Sequence, residues 1–575
     1  MTTLLYIASM SRDLVQPNAW VAIKLPNDML RVLQVVPNTT ISLGKYGSFP
    51  SNLIIERPYN LTYEVQDQEE GETYSRLRIV PGVELNADAL ADTSADKDAI
   101  ETSEETAETN DDDDVIVPAD GEDFTLVDDS GKVIARSSRE VLDDSARQTL
   151  TSAEIEELKK KGTSAGQDLI AKLLLSHTAI DQKTQFSLAK YKLLKTKKYI
   201  RRFTVLPLDV PLLAHWMLED KDASKILEMR QESMALLGCW ADTHFASQPE
   251  EGAEGPHAGQ WLVVDDTGGL LTASLAERMG ILHQTPEEQE QPETSVADAG
   301  SSGQPDGQPT QKPKRRRLND LEVPYAPNNT LTVLHHNTQP NLFMLRYFDF
   351  DNTEINPTPP YHPLYSNLLS LSWLQLVSPE LDQTYSDPPA EVDPETVASW
   401  KTNQRGNYHR KRRRWARTKH IIDTTRAGGF AGLAVASTME PISILRHTLP
   451  LLAGGAPVAI YSQTVEPLAA LADAFSITRR AAWVSSPPAE TEGKTVAEIE
   501  RWEGNDEFPI NPTLLLGASI QTSRARRWQV LPQRTHPLMT ERGGAEGYIF
   551  TAWRAIPVEG KIEARGRFRK RKAGA

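Results

Sequence analysis

Residues 260–283 constrain the fold of this chain more than any other segment. An apolar run, QWLVVD, is followed by the turn DTGG and then by the amphipathic stretch LLTASLAERMGILH. A buried strand, a glycine turn and a helix in this order are typical of the start of a Rossmann-like sheet. The later runs TLTVLHHN, GFAGLAVAS, APVAIYSQ and YIFTAW continue the α/β alternation. The sequence therefore predicts a Rossmann-like α/β domain over residues 203–555, with the strand FTVLPL at its beginning.

A different fold type is indicated before that domain. Residues 13–82 alternate short apolar runs, such as WVAIKLP, MLRVLQVV and SNLIIERPY, with turn residues. This rhythm is typical of a small antiparallel barrel or sandwich. We therefore expect an N-terminal β-barrel over residues 1–83 and a basic helical connector over residues 147–202. The predicted class is α/β plus β.

An acidic segment separates the barrel from the connector. Residues 84–130 hold 18 Asp and Glu residues against one basic residue, Lys97, so the rest of the chain is about neutral although its formal net charge is −17. Because few large apolar side chains are present to drive collapse, residues 84–146 are predicted to be a disordered insertion. Composition predicts further disordered insertions at about 284–322, 376–410 and 485–508, and a basic C-terminal tail at 556–575.

Simple counts disfavour several classes of protein. A single cysteine, Cys239, excludes an intramolecular disulfide framework and a cysteine-based zinc cluster, and it fits a reducing compartment. No run reaches the ~18 consecutive apolar residues of a membrane span, so we expect no membrane association. His335 and His336 are adjacent on a predicted strand and would point to opposite faces, so no metal site is predicted.

Positive charge is concentrated in a few short segments, of which residues 183–202 are the densest. They hold eight basic residues and no acidic one. An ordinary solvated helix, which is the alternative, normally mixes both signs. This density of one sign therefore favours contact with a nucleic acid.

Three further basic runs have other candidate roles. Arg410 to Arg414 form an unbroken run beside Trp415, for which RNA contact and nuclear import are equally open. A second run lies inside the insertion predicted at 284–322, where an import receptor could reach it. Residues 565–572 suit non-specific phosphate attraction. The predicted nuclear-import residues are Lys314, Arg315, Arg316 and Arg317.

The glycine turn lies where a methyltransferase would hold S-adenosylmethionine against backbone amides. Such a loop needs small residues, and a carboxylate at the end of the next strand to grip the ribose. Here Asp265 and Asp266 occupy the early loop, and the strand TLTVLHHN ends without a carboxylate. After GFAGLAVAS, the segment TMEPISI lacks an Asp or Asn followed by prolines and an aromatic residue, which would hold a target adenine. We therefore predict that this chain has neither a cofactor site nor a catalytic residue.

Three blocks of sequence carry a family resemblance. The first extends from VAIKLP (21–26) through PNTTISLGKYGSFP (37–50) to RPYNLTY (57–63). The second is KTQFS (183–187) with the lysine run that follows, and the third is QVLPQRTHP (529–537). In this order they resemble the non-catalytic subunit family of the eukaryotic tRNA adenine-58 N1-methyltransferase.

The resemblance implies a tRNA-binding subunit whose methyltransferase-like domain is degenerate. A catalytic partner would bind S-adenosylmethionine and form N1-methyladenine in the T-loop of tRNA, in a nuclear heterotetramer built from two heterodimers. Lys and Arg would neutralise phosphates, while Gln and His would reach 2′-hydroxyls or base edges. The predicted tRNA-binding residues are Lys183, Lys190, Tyr191, Lys192, Lys195, Lys197, Lys198, Lys225, Arg230, Arg410, Lys411, Arg412, Arg526, Arg527, Gln529, Arg534 and His536.

Two other functions remain open at this point. One is an active S-adenosylmethionine-dependent RNA methyltransferase with a diverged cofactor loop, which binding of the cofactor by the isolated chain would reveal. The other is an RNA-binding scaffold associated with translation initiation, which would purify without a methyltransferase partner.

Overall fold

The computed structural model describes most of the two predicted folded regions and little of the segments between them. The described residues are 13–66, 74–85, 124–127, 133–137, 150, 154–155, 167–176, 185–247, 259–283, 325–326, 328–353, 361–531, 534–538 and 544–557. The chain divides into two compact units. Unit 1 comprises Met1–Asp209 and Arg526–Arg542, and unit 2 comprises Val210–Ala525 and Gly543–Ala575. Among the described helices, none is both long and apolar enough to cross a membrane.

The strands and helices follow in chain order. The strands are β1 (Trp20–Lys24), β2 (Leu30–Gln34), β3 (Thr40–Ser42), β4 (Ser48–Pro50), β5 (Thr62–Val65), β6 (Leu77–Ile79), β7 (Phe124–Val127), β8 (Val133–Ser137), β9 (Arg202–Pro207), β10 (Gln260–Asp265), β11 (Thr330–His335), β12 (Leu368–Ser372), β13 (Gly432–Ala436), β14 (Pro457–Ser462), β15 (Leu515–Gln521), β16 (Trp528–Leu531), β17 (Arg534–Pro537) and β18 (Tyr548–Arg554). The principal α-helices are α1 (Gln167–Leu175), α2 (Gln185–Tyr199), α3 (Val210–Asp220), α4 (Gln231–Trp240), α5 (Leu270–Arg278), α6 (Leu364–Asn367), α7 (Trp373–Val377), α8 (Gln383–Ser386), α9 (Pro394–Ser399), α10 (Thr402–Ala427), α11 (Pro441–Thr448), α12 (Glu466–Ala474), α13 (Ile477–Ser485) and α14 (Val496–Glu500).

Unit 1 is built on an antiparallel sheet with the strand order β2-β1-β9-β5-β6. Strand β9 pairs with β1 on one side and with β5 on the other. The prediction that residues 203–208 belong to the Rossmann-like domain is therefore wrong. The sequence of a short apolar strand does not indicate which sheet it joins, because the hydrophobic pattern predicts burial and not the pairing partner.

Aromatic side chains fill the core of unit 1. The ring of Phe203, on β9, stacks on Phe49 at 4.8 Å between centroids and on Tyr63 at 5.5 Å. The strands β3 and β4 pair only with each other in the part of the chain described. The main sheet is thus open, and closure into the barrel expected from the sequence stays a prediction.

A buried ion-pair cluster joins β9 to its neighbour β5. Arg202 Nε lies 3.0 Å from Glu64 Oε2, and both side chains are less than a tenth exposed. Arg78 lies 2.8 Å from the same Glu64 oxygen, and both arginines also contact Glu84. Glu84, placed at the start of the disordered insertion by composition, is therefore part of this folded cluster. Each buried charge is paired, as burial of charge requires.

Unit 2 confirms the Rossmann-like prediction. Its sheet has the order β12-β11-β10-β13-β14-β18-β15, in which β10 to β14 are parallel and β18 is antiparallel to both β14 and β15. The first five of these strands have the 3-2-1-4-5 order of a doubly wound sheet. Strands β10, β11 and β13 are buried along their whole length, which explains their unbroken apolar runs.

Two insertions that composition predicts to be disordered are folded. Residues 376–410 contain parts of α7 and α10 as well as α8 and α9, and Trp400 packs edge-on against Tyr408 at 5.5 Å. Within 485–508, Trp502 and Phe508 pack with Trp483 into a small buried cluster. The proline and acidic content of these segments predicts disorder. Their aromatic side chains bury enough apolar surface to offset the conformational entropy lost on folding.

The remaining predicted insertions lie largely outside the described residues. Those at 284–322 and 556–575 contribute only residues 556 and 557 to the described ranges. Within 84–146, β7 and β8 form an antiparallel ladder, so this piece differs from the disorder predicted for it.

The buried cluster predicts a large local effect for Arg202→Met. Removing the guanidinium leaves Glu64 with fewer partners in a buried site, and loss of one partner of a buried pair costs about 3–5 kcal/mol. Denaturant unfolding of the full chain, with amide hydrogen exchange of peptides from β5 and β9, should show this loss in unit 1.

Lys24→Met is the matched control for that substitution. It removes a half-exposed ion pair with Asp28, which should change the free energy of unfolding by less than about 1 kcal/mol. Equal unfolding midpoints for the two variants would contradict the structural role assigned to Arg202.

Candidate RNA-binding surfaces and the remodelled cofactor turn

The turn after β10 is held together by the side chain of Asp265. Its Oδ1 accepts hydrogen bonds from Thr267 N at 2.8 Å and Thr267 Oγ1 at 2.6 Å. Its Oδ2 accepts from Thr272 N at 2.9 Å and Thr272 Oγ1 at 2.6 Å. All three side chains are buried. The first aspartate of the turn thus binds the start of α5 and is used by the protein itself.

The two glycines of this turn are required by packing within the chain. Gly268 and Gly269 have φ values of +70° and +92°, which favour glycine. A Cβ at Gly268 would collide with the ring of Phe343, and one at Gly269 would lie 3.0 Å from Leu342 Cα. Met344 N also donates to Gly268 O at 3.0 Å. The close approach that a cofactor would make in a methyltransferase is made here by the segment 342–344.

Asp266 links the ends of the two central strands of the sheet, β10 and β13. In open α/β sheets, ligands bind outside the carboxyl ends of the strands where the strand order reverses, here between β10 and β13. Asp266 N donates to Ala436 O at 2.9 Å, and its carboxylate accepts from Ser437 Oγ at 2.5 Å and from Thr438 N at 3.2 Å. His336 Nδ1 lies 3.4 Å from the other carboxylate oxygen.

Two histidines, His335 and His336, stand at the end of β11. Strand β11 ends at His335, whose Nδ1 lies 2.8 Å from Asn337 O and whose pKa is lowered because burial disfavours the charged imidazole. His335 is buried whereas His336 is exposed. They therefore do not converge on one metal ion, and no cluster of metal-binding side chains occurs among the described residues.

The carboxylate nearest the predicted catalytic position caps a helix. Glu440 precedes α11 and accepts from Ile442 N at 3.0 Å and Ser443 N at 2.7 Å. These amides begin the helix and have no partner within it, so the cap satisfies them. Glu440 is consequently a structural residue of this turn.

Helix α2 carries most of the lysines that the sequence assigns to RNA. Lys190 and Lys198 are exposed, and Lys192 and Lys195 are half-buried. The helix is anchored to the turn between β3 and β4, because Tyr46 Oη donates to Lys197 O at 3.2 Å. Lys183 lies outside the described residues.

Two residues of α2 have structural partners that the sequence does not reveal. Lys197 Nζ lies 2.6 Å from Asp28 Oδ2. Burial raises the pKa of Asp28, but hydrogen bonding and charge attraction from Lys197 outweigh it, so the pKa is lowered overall. Tyr191 is buried, with Lys195 Nζ 4.7 Å from its ring centre. The prediction that Tyr191 contacts tRNA is therefore wrong, because a buried ring is unavailable for stacking on a base.

The third sequence block forms the hairpin β16–β17 in the same unit as α2, and α2 lies beside β16. Gln529 and His536 are cross-strand partners and are half-buried. Arg526, Arg527 and Arg534 are exposed. Blocks separated by more than 300 residues in the chain are thus brought into one unit.

Trp528 is a candidate that the sequence reasoning missed. Its side chain is 58% exposed and directly follows Arg526 and Arg527. An exposed aromatic residue beside cations is a common arrangement for stacking a base while holding phosphate. The signal was present in the sequence, as an aromatic residue after two arginines.

In unit 2, the predicted tRNA contact of Arg230 is wrong, and that of Lys225 stays a prediction. Arg230 is buried, and its guanidinium donates to the backbone oxygens of Ala545, Ser523 and Glu546 and pairs with Glu232. It holds two loops together and is unavailable to RNA. Lys225 is exposed, with Asp222 at 3.9 Å.

The run at 410–414 lies within the long helix α10. Arg410 and Lys411 are exposed, but Arg412 pairs with Glu391 at 3.3 Å. The predicted import residues Lys314, Arg315, Arg316 and Arg317 lie outside the described residues.

Comparison with known proteins gives consistent matches along the chain. The model of the Gcd10p family matches residues 14–401. An Aspergillus fumigatus protein named tRNA (adenine(58)-N(1))-methyltransferase non-catalytic subunit trm6 is 43% identical, with 98% of this chain and 96% of that protein covered. A protein of the same name from Schizosaccharomyces pombe is 26% identical, with 97% and 95% covered. Among solved structures, the tRNA (m1A58) methyltransferase TrmI from Aquifex aeolicus aligns with 94% of this chain and 98% of its own at 8% identity and a TM-score of 0.34.

The remodelled turn predicts that the isolated chain does not bind S-adenosylmethionine. Asp265 and Asp266 are already hydrogen-bonded, and Phe343 packs against Gly268. Isothermal titration of the purified chain with S-adenosylmethionine should give no binding heat at millimolar ligand. Saturable binding would instead favour an active methyltransferase with a diverged loop.

Proposed function

Because this chain belongs to the Gcd10p family, we propose that it is the non-catalytic subunit of the tRNA (adenine-58-N1)-methyltransferase and that its own task is to hold tRNA. The catalytic partner supplies the methyl-transfer chemistry and binds S-adenosylmethionine. One observation carries the tRNA-binding part of the proposal. All three sequence blocks of the family resemblance meet in unit 1, where a lysine-rich helix lies beside an arginine-bearing hairpin.

The hydrogen bonds at the carboxyl ends of β10 and β13 support the absence of catalysis in this chain. Asp266 bridges β10 to the residues after β13, and Glu440 caps α11 in the segment where the catalytic Asp or Asn would lie. Both carboxylates therefore stabilise the fold.

The cations of unit 1 support binding to the sugar–phosphate backbone. Lys190 and Lys198 on α2, and Arg526, Arg527 and Arg534 on the hairpin, are exposed. Such contacts supply affinity and set the register of the RNA without reading its sequence. The cross-strand pair Gln529 and His536 provides hydrogen-bonding groups suited to 2′-hydroxyls or base edges.

Assembly and location complete the proposal. A non-catalytic subunit requires a catalytic partner, and pairing of two heterodimers would give the tRNA two composite surfaces. We place the complex in the nucleus on the basic run Lys314 to Arg317, whose sequence suits an import receptor.

Reconstitution tests the proposed function directly. Methyl transfer from labelled S-adenosylmethionine to a tRNA transcript is measured with this chain, with its catalytic partner, and with both. Activity is expected only when both are present, because one chain lacks the cofactor site and the other lacks tRNA surface. A transcript with adenine 58 replaced by guanine is the substrate control. Transfer by this chain alone, or full activity of the partner alone, would contradict the proposal.

Trp528→Ala should weaken tRNA binding without destabilising the chain. Stacking of one base on an aromatic side chain contributes about 1–3 kcal/mol, so the affinity of the complex for tRNA should fall by at least about fivefold. The dependence of affinity on salt should stay unchanged, because no cation is removed. Fluorescence anisotropy with labelled tRNA at several salt concentrations measures both quantities.

Phe245→Ala provides the matched control for Trp528→Ala. Phe245 is also an exposed aromatic residue, at 64%, but it lies in unit 2 outside the basic segments. Equal losses of tRNA affinity in the two variants would remove Trp528 from the candidate surface.

A further inference from the structure

Helix α10 has two faces of different character. Tyr408, Arg412 and Trp415 follow at intervals of four and three residues and therefore lie on one face. Val392 N donates to Tyr408 Oη at 3.3 Å, and Trp415 Nε1 donates to Tyr385 O at 3.2 Å. This docked face attaches the helix to the preceding segment of unit 2.

The docked face of α10 also contacts one carboxylate of the preceding segment, that of Glu391. Residues 380–395 contain six Asp and Glu residues. Arg412 pairs with Glu391, and Asp423, the one acidic residue of α10, accepts a hydrogen bond from Tyr385 Oη at 3.0 Å. Glu391 and Asp423 therefore lie at the docked face of α10.

The other face is cationic and exposed. Arg410, Arg414 and Arg417 are exposed and follow the same helical spacing, and Lys411 is exposed beside them. Arg410, Lys411 and Arg414 have no carboxylate within ion-pair distance among the described residues. One turn later the same stripe reaches the core at Ile421, which is 5% exposed. The cationic face is thus held in position by the docked face and by the buried C-terminal part of α10.

We propose that the exposed face of α10, formed by Arg410, Lys411, Arg414 and Arg417, is a second RNA-binding surface that contacts the phosphate backbone of tRNA. The inference rests on the proposed function and adds to it a contact from unit 2. It also reassigns Arg412 from RNA contact to attachment of the helix.

The composition of this face favours RNA over a protein partner. No large hydrophobic side chain of α10 is among the exposed ones. Protein interfaces bury aromatic and aliphatic cores, whereas nucleic-acid interfaces are more polar and rich in positive charge. The run 410–414 is also part of a hydrogen-bonded helix, so a receptor that reads an extended basic peptide would have to unfold it.

The test compares three double variants of the full chain in complex with its catalytic partner. Arg410→Gln with Arg414→Gln removes two charges from α10 while keeping good helix formers. Lys494→Gln with Arg501→Gln removes two exposed charges elsewhere in unit 2. Lys190→Gln with Lys198→Gln removes two from α2. Binding of a tRNA transcript is measured by fluorescence anisotropy between 0.05 and about 0.3 M salt, and circular dichroism confirms that each variant is folded.

Loss of two phosphate contacts lowers the slope of log affinity against log salt by about 1.4–1.8 and weakens binding roughly tenfold near 0.2 M salt. The proposal expects this change for the α10 variant and no change for the 494/501 variant. An unchanged slope for the α10 variant overturns it, as does an equal loss in the 494/501 variant. If the α10 variant binds RNA normally but fails to accumulate in nuclei, an import receptor is the partner instead. If the α10 proposal fails but the α2 variant binds tRNA more weakly, the proposed function stands. If the α2 variant also binds tRNA normally, the result counts against the α10 surface and against the proposed function.

Discussion

The RNA-binding surface proposed for unit 1 depends on the pairing of one strand, β9, between β1 and β5. The ion pair between Arg202 and Glu64 joins residues 138 positions apart in the chain. Because α2 ends at Tyr199, immediately before β9, the strand fixes where the lysine-rich helix lies. Tyr46 and Asp28, from turns between strands of unit 1, then hold the backbone and the ammonium of Lys197. Pairing of β9 thus converts a basic stretch of sequence into a surface of defined position.

The turn after β10 in the Rossmann-like unit is held by hydrogen bonds and packing within the protein. The carboxylates of Asp265 and Asp266 accept hydrogen bonds within the protein, and the ring of Phe343 packs against Gly268. Buried polar groups must find partners, and here the partners are backbone amides and hydroxyl groups of the same unit.

Positively charged side chains in this chain have three different structural surroundings. Arg202 and Arg230 are buried and hold strands or loops together, and Arg412 attaches a helix through Glu391. Lys190 and Lys198 of α2 and Arg410, Arg414 and Arg417 of α10 are exposed. All are indistinguishable as cations in the sequence, because whether a positive side chain binds protein or RNA is decided by the groups around it after folding.

The sequence by itself determined the α/β alternation of unit 2, the absence of a carboxylate at the end of β11 and the basic character of α2. These follow from apolar periodicity and residue type, which are local properties. Only the tertiary structure decided that β9 belongs to the N-terminal sheet and that β16–β17 lies beside α2, because pairing joins residues distant in the chain. It also buried Tyr191 and Arg230, exposed Trp528, and ordered residues 376–410 around Trp400 and Tyr408. Burial, exposure and order depend on which residues pack against each side chain, and the pattern of residue types along the sequence does not specify those contacts.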